Sequence, residues 1–468
     1  MARLPGADDH ARSVRVTAVP SFASSDRWRP TAVAISVLGL ATLAGVITAR
    51  LQLATSPLLI ALLGAAFLVA CTWILVRKRD DHAGIAATSE ATLATLAFLL
   101  LPLNAVRLSA NATVGDLFLL SLLVPFVARL ATKRATRVPS WLILGLVLVS
   151  VSVVAQALMG FDLGADVVPG VFFIVALAGT PLLLSGAARR PGYREILVVA
   201  WLLGSALAAL VALLDASGLT AIGPALTGYA WDGRFAGLTV HPNHLGLVAA
   251  MAFPVALWWL DTQPDRLMRT IAAALAGLLV LGVLASGSRA ALISLLAVGL
   301  MSIVAHTRNR NGSAVSLLAL LLGCGLAVGA VILMLPTTMG NGIARLLSPD
   351  SVAVNQDRLD AMTSSLFSYY GSPLIGVGFS TVKAANNLAL QSLQAGGLLT
   401  ALGLAVYLFG AIVRGLRTSR VSNGLGTALS LSLLAWLVDG MFQNIIYDRF
   451  LFLPVALVLA LQLPGASR

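Results

Sequence analysis

The stretch GNGIARLLSPDSVAVNQDRLDAMTSSLFSYYGSPLIGVGFSTVKAANN, residues 340–387, runs without interruption into LALQSLQAGGLLTALGLAVYLFGAIV, residues 388–413. The interval 336–400 holds the only long polar segment between two strongly apolar ones, which marks a water-facing loop entering a membrane span. Within it Leu359, Met362, Leu366 and Tyr369 recur at three- and four-residue steps. That spacing predicts an amphipathic helix lying on or just above a membrane, with Arg358 near its start. Gly371, Ser372 and Pro373 end the helix, and Gly376 and Gly378 permit a tight re-entry toward the next span.

Outward from this loop the chain is mostly apolar. Of its 468 residues 58% are hydrophobic and only 11% charged, whereas soluble domains carry roughly 25% charged residues. A bilayer core takes about 20 apolar residues per helix, and runs of that kind recur at 31–48, up to 76, 84–103, 114–128, 141–159, 168–188, 196–214, 241–260, 270–285, 290–305, 315–335, 388–413, 425–438 and 450–463. The expectation is an all-α polytopic membrane protein of 12 to 14 transmembrane helices. The lower number applies if the two short runs flanking Ser286-Gly287-Ser288-Arg289 are halves of a re-entrant hairpin. Residues 1–30 are polar and read as a disordered cytoplasmic tail; 31–468 form one transmembrane domain with outer loops 215–240 and 336–387. Cys71 and Cys324 fall inside apolar runs and read as small hydrophobes.

The net charge of +12 would suit a nucleic-acid partner, but the cations sit in short loops between spans. With the tail placed inside and the sides alternating, 23 of the 31 Lys and Arg residues fall on the inner side, as the positive-inside bias requires. The eight exceptions are Arg50, Arg107, Arg234, Arg289, Arg345, Arg358, Lys383 and Arg449. Arg234 lies in WDGRFAGLTVHPNH, Arg289 in the SGSR turn and Arg358 at the start of the loop helix. A guanidinium fork suits bidentate contact with phosphate oxygens. The other reading of each is snorkelling to lipid phosphates, or pairing with Asp232, Asp357 or another acid.

Glu90 lies within an apolar run near its inner end, and Asp116 and Asp439 stand at outer ends of spans, where each could hold an arginine or accept a proton. His241-Pro242-Asn243-His244 opens a span on the outer side, with Pro242 at a favourable first-turn position. The chain has no HExxH, no Cys/His cluster and no Walker loop, so no metal or nucleotide cofactor is expected.

Three blocks carry a likeness to a known family: GRFAGLTVHPNHLG at 233–246, ASGSRAALISLL at 285–296, and residues 356–403 from QDRLDAM to LLTALG. In this order, with a long loop before the third, they resemble the O-antigen ligase and polymerase superfamily, bacterial membrane glycosyltransferases acting on polyprenyl-diphosphate-linked sugars. The resemblance implies that Arg234, Arg289 and Arg358 engage the diphosphate, with Lys383 and Asn387 also binding substrate, and that Pro373, Gly376 and Gly378 shape the loop's return. In the ligases a His-Asn pair opens the following helix, and its histidine assists the acceptor hydroxyl. Here Asn386 and Asn387 stand there; Ala395 replaces a frequent Glu and Thr400 a frequent Gly, while Gly397 is kept.

An amide takes up no proton at neutral pH. His241 or His244 is therefore the simplest substitute base, with Asp116 and Asp439 behind, and Asn386 a hydrogen-bonding group. The expected partners are a polyprenyl-diphosphate-linked oligosaccharide, an acceptor glycan or glycolipid and membrane lipid, with no nucleic acid. The expected place is a bacterial inner membrane with both termini cytoplasmic. A transporter or flippase of lipid-linked glycans, or a non-catalytic relative that binds the carrier, are the rival readings.

Overall fold

The computed structural model describes residues 85–109, 112–131, 138–189, 192–231, 233–309, 352–379 and 385–461. The tail 1–30, the candidate spans at 31–48, up to 76 and at 315–335, the loop 336–351, and Arg50, Cys71, Asp232, Cys324, Arg345 and Lys383 lie outside the described residues. In chain order the helices are α1 (Ile85–Leu100), α2 (Val114–Ser121), α3 (Leu123–Ala131), α4 (Ser140–Leu158), α5 (Val168–Ala188), α6 (Tyr193–Ala216) and α7 (Ile222–Thr227). There follow α8 (Pro242–Thr262), α9 (Arg266–Ser286), α10 (Arg289–Asn309), α11 (Val352–Gly371), α12 (Leu388–Thr418), α13 (Leu425–Gly440) and α14 (Leu453–Ala460). A short antiparallel pair, β1 (Arg107–Ser109) and β2 (Ala112–Thr113), is the only sheet among the described residues.

Seven described stretches are long and apolar enough to cross a membrane: Val114–Ala131, Ser140–Leu158, Leu163–Ala188, Tyr193–Ala216, Pro242–Thr262, Arg266–Ser286 and Leu388–Thr418. The protein is an all-α polytopic membrane protein. Its outer surface agrees: on α4, Leu144, Val147, Val151, Val154 and Leu158 are each about half exposed or more, a stripe that water would not tolerate and lipid tails do.

Two helices lie inside. The central turns of α8 are buried all round and pack against α6, α9, α10 and α13. All eight residues of α14 are buried, among α5, α12 and α13. The apolar run at 450–463, read as an ordinary span, is thus a short 3₁₀ turn (Arg449–Phe452) followed by an eight-residue core helix. A helix apolar on every side is satisfied by protein as well as by lipid, so periodicity does not separate the two.

The two runs flanking the SGSR turn, short in the sequence, belong to longer helices. α9 and α10 have 21 residues each, about 31 Å at 1.5 Å per residue. The apolar cores looked short because Arg266, Arg269 and the polar end at 306–309 belong to the same helices. The loop helix is found as α11; of its apolar stripe Leu359 and Leu366 are exposed and Met362 and Tyr369 half-buried, while Ser365 is buried.

Where α4 crosses α12, Gly145 and Gly403 face each other, and a Cβ on either would come within 2.8 Å of the other's carbonyl oxygen. Small residues let the backbones approach, which is what holds helices together where no hydrophobic drive exists between them. Gly145→Leu or Gly403→Leu is expected to destabilise the protein by about 1–3 kcal/mol or more, read as a lowered unfolding midpoint in detergent; an unchanged midpoint in both would show that this crossing carries no stability.

Candidate functional site

The site is assembled at one end of the bundle from three connections. The first is the loop after α6. Asp215 at the helix end accepts from Thr220 Oγ1 at 2.6 Å and from the amides of Ile222 and Gly223 at 2.8 Å each, which fixes the start of α7. The chain then turns at Trp231–Arg234, where the Arg234 amide donates to Trp231 O at 3.0 Å, and docks on α9 through Phe235 N to Ala285 O at 3.0 Å.

Arg234 is thereby laid across the SGSR turn. Its Nε donates to Ser286 O at 3.0 Å and its Nη2 to Asn243 Oδ1. Gly287 stands at φ 57, and a Cβ there would sit 3.0 Å from Arg234 Cγ, so both the left-handed backbone and the space call for glycine. Arg289 opens α10 two residues later, which puts two of the three expected arginines on one turn.

The second connection is the start of α8. His241 is its N-cap, with Nδ1 accepting from Asn243 N at 3.0 Å, and its ring meets Trp231 edge-on at 4.4 Å between centroids. Burial, and then the charges of His244, Arg234 and Arg358, push its pKa down to about 3. The charge of Arg358, on α11 in the third block, therefore bears on the same ring as that of Arg234 in the first. A neutral His241 whose Nδ1 accepts a hydrogen bond carries its hydrogen on Nε2, which makes it a donor and not a base.

One turn on, His244 has a different partner. Its Nδ1 lies 3.2 Å from Asp448 Oδ2. A carboxylate facing a bare ring lone pair would repel it, which places the hydrogen on Nδ1 and leaves Nε2 as the acceptor. Asn104 Nδ2 donates to Asp448 Oδ1 at 3.0 Å and its Oδ1 accepts from Val240 N at 2.9 Å; Nδ2 also lies 3.1 Å from His244 Nδ1, but with the ring hydrogen on Nδ1 this amide, itself only a donor, serves Asp448 and not the ring. Neither Asn104 nor Asp448 was singled out from sequence. Asp448 stands at the end of a span like Asp116 and Asp439, and the same rule would have found it.

The third connection is the return of the loop into α12. That helix is broken at Gly396 and Gly397, the latter at φ 63. Residues 373–378 pair with the break: Val377 N donates to Gln394 O at 2.8 Å, Gly378 N to Ala395 O at 3.2 Å, Leu398 N to Pro373 O at 2.8 Å and Leu399 N to Leu374 O at 3.2 Å. From α4, Gln156 Nε2 donates to Ile375 O at 2.5 Å and Ala395 O at 2.6 Å, and Ser152 Oγ to Gly396 O at 2.8 Å. A Cβ at Gly376 would lie 2.5 Å from Gln394 O, and one at Gly378 2.3 Å from Asp166 Oδ1. Both glycines are required by the re-entry the sequence suggested.

The other expected residues divide. Asn387 caps α12, its Oδ1 accepting from Ala389 N at 2.9 Å and Leu390 N at 3.1 Å, and its Nδ2 donates to Met441 O at 2.9 Å. Asn386 stands just before it at φ 46, a left-handed conformation that asparagine tolerates. Asp116 forms a capping box with Thr113 and pairs with Arg449 Nε at 3.3 Å, so of its two expected roles it holds an arginine. Asp439 is fully buried and accepts from Gln443 Nε2 at 2.6 Å. Glu90 is buried as well and pairs with Arg129.

No protein-family model matches the chain, and no curated protein matches it.

His241 supplies a test of the site's electrostatics. Its folded pKa of about 3 lies below the roughly 6.5 of an unfolded histidine. Folding thus favours the neutral ring, and the stability it contributes is full above about pH 6.5 and lost as pH falls toward 3. Between pH 7 and pH 5 the loss should reach about 2 kcal/mol. His241→Asn keeps a capping oxygen and should flatten the fall of the unfolding midpoint over that interval; identical slopes would mean the ring is not held neutral.

Proposed function

We propose that the chain is a membrane glycosyltransferase that moves a glycan from a polyprenyl-diphosphate carrier to a sugar hydroxyl, as a polysaccharide polymerase or ligase working at the outer face of a bacterial plasma membrane. The observation that carries this reading is Arg234 laid across the SGSR turn that bears Arg289, beside His241, on which the charge of Arg358 also acts, and His244, which faces the carboxylate of Asp448. Guanidinium groups match a diphosphate in charge and shape. An imidazole with its Nδ1 hydrogen on Asp448 matches the task of removing a proton from an alcohol.

In this mechanism the acceptor oxygen forms a bond to the anomeric carbon of the donor glycan as the bond from that carbon to the diphosphate oxygen breaks. The electron pair leaves with the diphosphate, where the arginines stabilise the growing charge. His244 Nε2 takes the hydroxyl proton, and Asp448 holds the ring and stabilises the imidazolium. His241 donates its Nε2 hydrogen to an oxygen of the donor. A histidine at the start of α8 thus takes the part that the ligase resemblance gives to the position of Asn386.

A specific observation favours a second reading. Broken helices line the substrate sites of transporters, and α12 is broken at Gly396 and Gly397. There, however, the freed backbone groups point at a ligand, whereas here those at 373–378 and 394–399 bond to each other and to Ser152 and Gln156. The break supports a folded-in loop better than an ion or sugar site.

Purified protein in liposomes without an ion gradient should transfer or extend a polyprenyl-diphosphate-linked glycan. Arg289→Ala and Arg358→Ala should each abolish transfer with folded protein retained, and Lys variants should be partly active at best. His244→Ala should lower the rate by about 10²–10⁴, Asp448→Asn nearly as much, His241→Ala less and Asn386→Ala only modestly. Near-normal rates in both arginine-to-alanine variants would return those residues to the snorkelling reading, and a normal His244→Ala would remove the base.

A further inference from the structure

The buried helix α14 has its own charge problem at the end away from Asp448, about 20 Å along the helix. The last four carbonyls of a helix lack partners inside it, and here they are buried. Three arginines from three helices reach them. Arg414 of α12 donates from Nε to Val458 O at 3.1 Å and from Nη2 to Leu461 O at 2.8 Å. Arg189, at the end of α5, reaches Leu459 O at 3.4 Å, and Arg194, in the first turn of α6, reaches Ala460 O at 3.2 Å.

Capping explains the bonds but not the number of charges. A helix C-terminus is worth roughly half a negative charge, and one cation would more than offset it. Close by, Arg129 lies against Gly186, one turn before Arg189, in its pair with Glu90. The charges of Arg414 and Arg129 both act on Arg189 and, after burial, lower its pKa. Among the described residues just named, four guanidinium groups against one carboxylate and one helix end leave a surplus of about 2.5 positive charges in a half-buried place.

The bonds to α14 use one hydrogen of Arg189, one of Arg194 and two of Arg414, each guanidinium having five. All four side chains are partly exposed and sit at ends of spans, the level at which headgroups lie. In addition, the Nε of Arg194 is buried and meets no acceptor among the described residues.

We propose that the arginine ring around the end of α14 binds a phosphate or phosphodiester group, the chemistry shared by an anionic phospholipid headgroup and free phosphate. The bound group offsets part of the surplus, one negative charge for a phosphodiester, and so braces α5, α6 and α12 around the core helix. This stands whether or not the chain transfers glycan.

The test is the unfolding midpoint of the full-length protein in neutral detergent, with phosphatidylglycerol, phosphatidylcholine, inorganic phosphate or chloride at equal ionic strength. Phosphatidylglycerol is expected to raise the midpoint by about 2–4 °C at saturation and phosphatidylcholine not at all. An equal, saturable rise with inorganic phosphate identifies the free ion as a sufficient ligand; a rise with the lipid alone identifies the headgroup. Arg189→Gln and Arg414→Gln should lose the rise. If those variants fail to fold, Arg189→Lys and Arg414→Lys still donate to the carbonyls but lack the fork, and should fold with most of the rise gone. No rise over chloride in the wild-type protein, or a full rise in the Lys variants, overturns the proposal.

Discussion

Gln156 donates to two carbonyls 20 residues apart, those of Ile375 and Ala395, and by doing so it lets a non-helical backbone exist among membrane helices. A bilayer offers no hydrogen bonds, so every amide and carbonyl away from a helix needs a partner within the protein. Residues 373–378 and the break at Gly396 and Gly397 meet that demand together, each strand of backbone serving the other, with Ser152 and Gln156 taking what remains. Both side chains are fully buried on α4. Without them Ile375, Ala395 and Gly396 would each lose a donor in an apolar surrounding, at a cost of about 1–3 kcal/mol per group.

The candidate site depends on this join, although none of its residues does chemistry. Fixing 373–378 fixes the end of α11, and with it the side of the bundle from which Arg358 acts on His241. Fixing the first half of α12 fixes its cap at Asn387, whose amide holds Met441 at the end of α13. The chain then reaches Asp448 within seven residues, and Asp448 returns to α8 through His244 and to the turn after α1 through Asn104. Segments far apart in sequence are thus joined through backbone capping and carboxylate contacts, and α14 is placed at the centre of the bundle in passing.

Much of this was legible in the sequence, for reasons that particular residues make clear. Span length and the scarcity of charge gave the all-α membrane class because a bilayer constrains both. Gly371, Ser372 and Pro373 marked the end of α11, and the SGSR turn and the HPNH start of α8 stood out because polar residues are rare in such a chain. What stayed hidden depends on space. Asp448 is set apart from Asp116 and Asp439 only when His244 is found 3.2 Å away, and α14 reads as a lipid-facing span until its neighbours are known. Two adjacent glycines in an apolar run are common enough that the break in α12 carried no signal. The division between the histidines was also out of reach, because it rests on which ring nitrogen each partner takes.

That division bears on the order of events in the proposed reaction. Before a donor binds, burial, with the charges of His244, Arg234 and Arg358 adding to it, keeps the His241 ring neutral far below ordinary pH. A diphosphate brings negative charge into the same space. By linkage, whatever the arginines do to disfavour a proton on His241 the bound anion must partly undo, and proton and donor then bind cooperatively. In the proposed reaction the donor's arrival thus eases the protonation of His241, which ties the state of that ring to the presence of the sugar to be attacked.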